Sequence, residues 1–403
     1  MARYLRILRR RGAAAPFAAA VVARLPISMA PLGIVLLIQS VRGSYAIAGL
    51  VTAALALGGA LAAPGWGRLL DRVGQPWVIG STGAASGVLL AALAICTDAG
   101  AGDGVLVALA AAAGLTFPVV SPAMRAAWRV VLHTQEDRAA AYAMDAVAIE
   151  TIFVGGPLLL SVLLVVGPLP VPLLVTAALQ ALGSVAYAFS GAARAWRPPP
   201  QPEHGHRGRS PVRAEGVGAV LLVAVAMAVG FGHLDVSIAA TARGTLHDPA
   251  RVGVLFAAIA GGSAAGGRWY GARSWVGAPR RRLPFVLAGF ACGLSVLPLV
   301  VAHGAVLWLM LPVLLVTGIC ISPSVIIQQG LVDELAPAHR LGEAQSWLNT
   351  AFTAGSAGGT ALAGVLVDLG GPQRSFLGAA LAVGAAALLA MVAQPRWRRA
   401  RPT

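Results

Sequence analysis

The chain has 403 residues, of which 58% are hydrophobic and only 11% charged, and 30 basic against 15 acidic side chains leave a net charge of +15. Its mean hydropathy is +0.78. Soluble globular chains are roughly 25% charged, disordered chains are far less apolar, and no G-x-y period marks a collagen, so a polytopic membrane protein is what remains.

A membrane helix needs about 20 apolar residues. In chain order, twelve runs qualify: 14–38, 45–64, 77–97, 104–127, 139–165, 170–190, 217–240, 251–270, 284–302, 305–328, 341–366 and 374–393. The start, MARYLRILRRRGAAAPFAAAVVA, has the charged and apolar regions of a signal peptide. Its apolar run continues through Leu37 without a convincing cleavage site, so it reads as a retained first helix. Residues 191–216 carry the Pro, Gly and charge of a flexible linker. The expected organisation is a six-helix bundle over 1–190, a cytoplasmic linker over 191–216, and a second six-helix bundle over 217–403 ending in a cytoplasmic tail.

The halves echo each other. Gly49 and Gly253 open the second segment of each half, 204 positions apart, and Gly67 and Gly271 close it at the same offset. Arg138 and Arg340, 202 apart, begin the fifth segments. Such register points to duplication, a common scheme in secondary transporters.

All 30 basic residues are arginine. With the N-terminus in the cytoplasm, 25 of them fall on the inner side. Arg42, Arg243, Arg251 and Arg374 fall outside, and Arg24 lies within a span. That asymmetry sets orientation: a multi-pass cell-membrane protein with both termini cytoplasmic, its arginines held against anionic lipids rather than nucleic acid. Cys96, Cys292 and Cys320 fit no metal spacing or disulfide framework, and no Walker, G-x-S-x-G or H-E-x-x-H motif occurs. His204 and His206 lie in the linker as solvent-facing residues. Neither an enzyme, a cofactor nor a metal site is expected.

After the second segment the chain reads Gly65-Trp66-Gly67-Arg68-Leu69-Leu70-Asp71-Arg72-Val73-Gly74-Gln75. Gly67 permits close helix approach, Gly74 a sharp turn, and Asp71 can accept hydrogen bonds from a helix N-terminus or an arginine as an inner latch. Gly67, Asp71, Arg72 and Gly74 resemble the inner-gate signature G-x-x-x-D-R-x-G-R-R of the major facilitator superfamily, with Gln75 and Pro76 where that family has a basic pair. The counterpart loop, Gly267–Arg273, has no aspartate, so a second latch is expected to be weak. With the span count, linker and duplication, the resemblance covers nearly the whole chain. It implies an all-α membrane protein of the major facilitator fold, twelve transmembrane helices in two pseudo-symmetric six-helix bundles rocking around a central cavity. It also implies a monomer and a small-molecule substrate. The particular likeness is to bacterial drug-efflux and exporter-like members. Gly155-Gly156-Pro157 resembles a fragment of the antiporter signature G-x-x-x-G-P-x-x-G-G, lacking its spaced glycine and final pair, and marks a helix kink.

Charges within spans are functional candidates. Asp145 and Glu150 are five residues apart, about 500° of helical rotation, and so point to different faces. Arg24 lies too deep to snorkel easily and needs a partner such as Glu150. For Asp145 the candidate partners are Arg125, Arg129 and Arg138. Asp235 is the only acid of the seventh segment, two residues from His233, which titrates near neutral pH when unperturbed; Gly230 and Gly232 can soften that helix. Gln39, Gln345 and Asn349, with Gln328 and Gln329, are neutral polar candidates for a cavity, and Trp347 an aromatic wall. The reading is a secondary transporter, an antiporter coupling protons to efflux of a small, partly lipophilic compound. An importer or facilitator of the same fold and a non-transporting scaffold are the alternatives. The expected orientation is testable: alkaline phosphatase fused within the loop at 98–103 will be active, and fused at the C-terminus inactive.

Overall fold

A computed structural model describes residues 7–10, 12–132, 134–197, 216–273, 275, 277–304, 307–337 and 341–399. Most of the linker lies outside these residues, with His204, His206, Arg3, Arg6, Arg11, Arg207, Arg209, Arg213, Arg340 and Arg401. The described residues are helical or in turns, and no strand forms among them. Hydrocarbon offers no water to a free N–H or C=O, and helices satisfy these groups locally.

Ten spans follow in order: α1 (Ala14–Arg42), α2 (Tyr45–Val73), α3 (Gln75–Asp98), α4 (Asp103–Val131), α5 (Gln135–Val166), α6 (Val171–Ala188), α7 (Val217–Thr245), α8 (Pro249–Ala272), α9 (Pro279–Ala302) and α10 (Leu307–Leu335). The stretch Leu341–Val392 is two helices, broken at Gly370 and Gly371, where Gly371 has φ of +77°. These are α11 (341–369) and α12 (372–392). The twelve spans predicted from hydropathy are thus present.

One element differs. The segment carrying Gly67, Asp71 and Arg72 was expected as a loop, but α2 stays helical to Val73. Its 29 residues reach about 44 Å, well beyond a hydrocarbon core of about 30 Å. The charged residues of its last turns stand clear of the hydrocarbon and need no loop to reach water.

The chain forms two compact units. Unit 1 comprises Met1–Arg42 and Ala54–Glu203, and unit 2 comprises Gly43–Ala53 and His204–Thr403. In unit 1, α1 and α3 both pack on α6; in unit 2, α7 packs on α11 and α12, and α9 on the stretch these two helices form. The residue contacts repeat with the same 204-residue offset. Gly58 of α2 sits on the Ala111 carbonyl of α4, and Gly114 on that of Leu55; 204 positions on, Gly262 of α8 sits on the Leu315 carbonyl of α10, and Gly318 on that of Ile259. Ser28 of α1 donates to the Ile152 carbonyl of α5 and touches Gly156. Their counterparts Gly232, Ser356 and Thr360 make the same contact between α7 and α11. Lipid is as apolar as leucine, so helix association here rests on close backbone contact through small residues. Gly355, Gly359 and Gly364 of α11 also serve as such contacts, while Gly358 faces open space.

This packing sets opposite outcomes for two adjacent glycines. A Cβ at Gly262 would collide with the Leu315 carbonyl, whereas one at Gly261 meets nothing within 4 Å. Gly262→Ala is expected to lose about 1–3 kcal/mol, and Gly261→Ala to be neutral or gain about 0.5 kcal/mol, measured by thermal unfolding in detergent.

Candidate functional site

The first half of α1 ends at Arg24, and Pro26 restarts the helix without an N–H of its own. At this turn Gly183 of α6 rests on the backbone of Ala23. Arg24 is therefore enclosed. Its Nε donates to the Ala20 carbonyl at 2.9 Å and its Nη1 to Asp145 Oδ1 at 2.8 Å. The two side chains are only 1% and 2% exposed. Ala23, Trp128, Met144 and Tyr187 belong to the apolar cluster of this region. Arg24 Nη2 and Asp145 Oδ2 have no protein partner, so the pair is bonded on one edge only.

Glu150 is thus not the partner of Arg24, and Arg125, Arg129 and Arg138 are not those of Asp145. Helical phase explains both. The α5 face turned to α1 carries Asp145, Ile152 and Gly156, at spacings of seven and four, and Glu150 lies off it. Arg138 instead donates to the Leu132 and Arg129 carbonyls. Gly156 is the point of contact with α1, Gly155 faces open space, and α5 runs unbroken through Pro157 from Gln135 to Val166.

Glu150 stands at the middle of α5, exposed on unit 1, with no hydrogen bond or ion pair among the described residues. Asp235 of α7 is half-buried and equally unpartnered. His233 is buried and belongs to the packing of α7 on α12: its Nδ1 lies 3.1 Å from Ser375 Oγ, and its ring rests on Gly378. Gly230 and Gly232, expected to soften α7, instead seat it on α12 and α11. Of the neutral polar candidates, Gln39 has a buried, unpartnered Oε1. Gln345 is tied to the Gln329 carbonyl and Asp333 at the end of α10. Asn349 and Trp347 are exposed. Gln328 is buried, donating to Met227 Sδ and the Ser324 carbonyl.

At the foot of α2, Gly74 adopts φ of +98°, the turn its lack of a Cβ permits. Asp71 and Arg72 are exposed and make no hydrogen bond or ion pair among the described residues. Gly67 has open space around it, so it is not the expected close contact. Trp66 makes the contact instead, donating to the Leu115 carbonyl of α4. Gln75 is fully buried: it accepts from the Tyr187 hydroxyl at 2.9 Å and donates to the Ala123 carbonyl at 3.0 Å. In unit 2, Trp275 stands 204 positions on from Asp71. It stacks on Tyr270 with centroids 5.2 Å apart, and the guanidinium carbons of Arg282 and Arg273 lie 5.1 and 5.3 Å from its ring. A cation–aromatic stack thus holds this turn without an acid.

The profile of the Major Facilitator Superfamily matches residues 17–360 and 220–403. The chain belongs to that superfamily. No curated protein matches it. Among solved structures it is similar to an auto-inhibited peptide transporter of the POT family, with TM-score 0.72 and 14% identity over 96% of this chain and 97% of that one. A mutant of the nucleoside transporter NupG gives 0.71 and 10% over 94% and 99%, and a bacterial homologue of the iron transporter ferroportin, in an inward-facing state, 0.68 and 16% over 95% and 98%. These likenesses concern the fold.

As a superfamily member the chain is a transporter of small solutes rather than an enzyme, and among the described residues no His/Cys/Asp/Glu group is placed to hold a metal ion. Its two halves differ in charge. Ala228 and Asn349 occupy the positions 204 on from Arg24 and Asp145, so the buried ion pair belongs to unit 1 alone. One group escaped the sequence reading: Asp368 of α11 accepts from Ser44 Oγ at 2.8 Å and from the Tyr45 and Ala46 N–H groups at 2.9 and 2.8 Å. Together with Ser44 it caps α2; an acid 324 positions away leaves no local signal. For the ion pair, removing one partner strands a buried charge. Asp145→Ala and Arg24→Ala are each expected to cost about 3–5 kcal/mol, with the apolar double variant Arg24→Met/Asp145→Leu recovering most of it, read by thermal unfolding.

Proposed function

We propose that the chain is a proton-coupled exporter of a small, partly lipophilic compound, working by alternating access, with both termini cytoplasmic. The observation that supports it is the contrast between two carboxylates of α5: Asp145 is bound by Arg24, and Glu150, near mid-span, has no partner among the described residues. An unpartnered ionised carboxylate is costly in hydrocarbon, and protonation removes that cost. Glu150 is therefore the group whose charge follows its surroundings. It takes a proton where the outer solution reaches it, and gives the proton up where the cytoplasm does. Each cycle moves a proton inward and substrate outward. Asp235, likewise unpartnered, is a second carrier in the other half. Gly156, at the contact of α1 and α5, stands within the glycine-proline fragment similar to the antiporter signature. The neighbours of Glu150 at three- and four-residue spacing on α5, Ala146, Val147, Phe153 and Val154, are apolar, which suits a lipophilic substrate better than a sugar.

Transport into inside-out vesicles, with the substrate first found by a panel in a strain lacking its own efflux pumps, tests this. Glu150→Gln is expected to abolish flux driven by an imposed pH gradient and to retain substrate exchange at zero gradient. Gradient-driven flux equal to wild type would sink the proposal.

A further inference from the structure

Beside the signature turn, α3 and α6 leave an open groove of about 650 Å³ on unit 1. Trp77, Gly80 and Ser81 of α3 form one wall, Val185 and Phe189 the other, and Arg194 closes one end. Trp77 and Phe189 are 61% and 68% exposed. A tryptophan at the end of a membrane span is a side chain that settles at the lipid headgroup level, and Phe189 adds an apolar face. Arg194, on the short helix Gly191–Ala195, donates to the Phe189 carbonyl through Nη2, and its guanidinium carbon lies 5.4 Å from the Phe189 ring. Those contacts orient the guanidinium, and its other N–H groups have no hydrogen-bond partner among the described residues. Arg197 is exposed next to it and donates to the Arg194 carbonyl. An apolar trough thus ends at one cation, Arg194, with no acid lining it; the second, Arg197, follows three residues along the chain, outside the lining.

The groove is braced from behind. Gly80 rests against Ala188, and Gln75 and Tyr187 join α3 to α6 directly at its base. Gln75 both accepts from Tyr187 and donates to Ala123. An arginine or lysine, the residue types this position has in the family signature, can only donate. With Gln75 the Tyr187 hydroxyl donates across the brace; with a cation at this position it could only accept.

We infer that this groove is a binding site for one anionic phospholipid, an acyl chain lying between α3 and α6 and the phosphate held by Arg194 and Arg197. Charge complementarity selects the headgroup and the apolar walls select a lipid over a free phosphate. The inference is independent of transport direction and proton coupling.

Native mass spectrometry of the full-length protein, extracted from vesicles of equal phosphatidylglycerol and phosphatidylcholine with matched chains, tests it. Wild type is expected to retain one phosphatidylglycerol in preference to phosphatidylcholine. Arg194→Gln will cut that preference roughly fivefold, the loss expected for one interfacial arginine. Ser81→Trp, which fills the trough and keeps both arginines, will lower retention of both lipids. Arg268→Gln, at an exposed arginine of unit 2, will match wild type. Matching melting temperatures show that the variants fold. Absence of a preference in wild type, an Arg194→Gln preference equal to wild type, or an equal loss in Arg268→Gln each overturns the site.

Discussion

A hydrocarbon interior supplies neither water nor counterions, and that constraint organises this molecule. Backbone polar groups close on themselves in helices. Helices in turn must find each other without a hydrophobic drive, so they meet where glycine lets carbonyls approach. Gly58, Gly114, Gly262 and Gly318 are such points. Side chains obey the same rule. Arg24 is buried with Asp145 at 2.8 Å, while Glu150 and Asp235 have no such partner among the described residues.

The 204-residue offset ties packing to ancestry. Contacts between α2 and α4, and between α1 and α5, recur in unit 2 at the same spacing, carried by different residues: Ser28 against Gly156 in one half, Gly232 against Thr360 in the other. What repeats is helix distance; what diverges is charge. Arg24 and Asp145 have Ala228 and Asn349 as counterparts, and Asp71 has Trp275. A duplicated scaffold has thus kept its backbone contacts while its polar groups specialised.

The fold was largely legible because its signals are local or compositional. Run lengths mark the spans, arginine counts support an orientation, and Gly74 announces a turn. The site was less so. That Asp145 and Glu150 face different ways follows from helix periodicity, but which face meets α1 does not, and the expected Arg24–Glu150 pair accordingly gave way to Arg24–Asp145. Gly67 matches a signature without making the contact that signature suggests, since Trp66 reaches α4 instead. Gln75 looked like a mere departure from a motif and proved to be the brace between α3, α4 and α6.

The sequence by itself determined a twelve-span membrane protein built from two related halves, because hydropathy, length and internal offset are properties of the chain read in one dimension. Only the tertiary structure decided which intramembrane charges are neutralised and which stand alone. Pairing depends on the rotation of each helix about its axis, and contacts such as Arg24 to Asp145 or Ser44 to Asp368 bridge residues 121 and 324 positions apart. The net charge of +15 spoke of the membrane surface; the partners of single charges inside it were settled by packing.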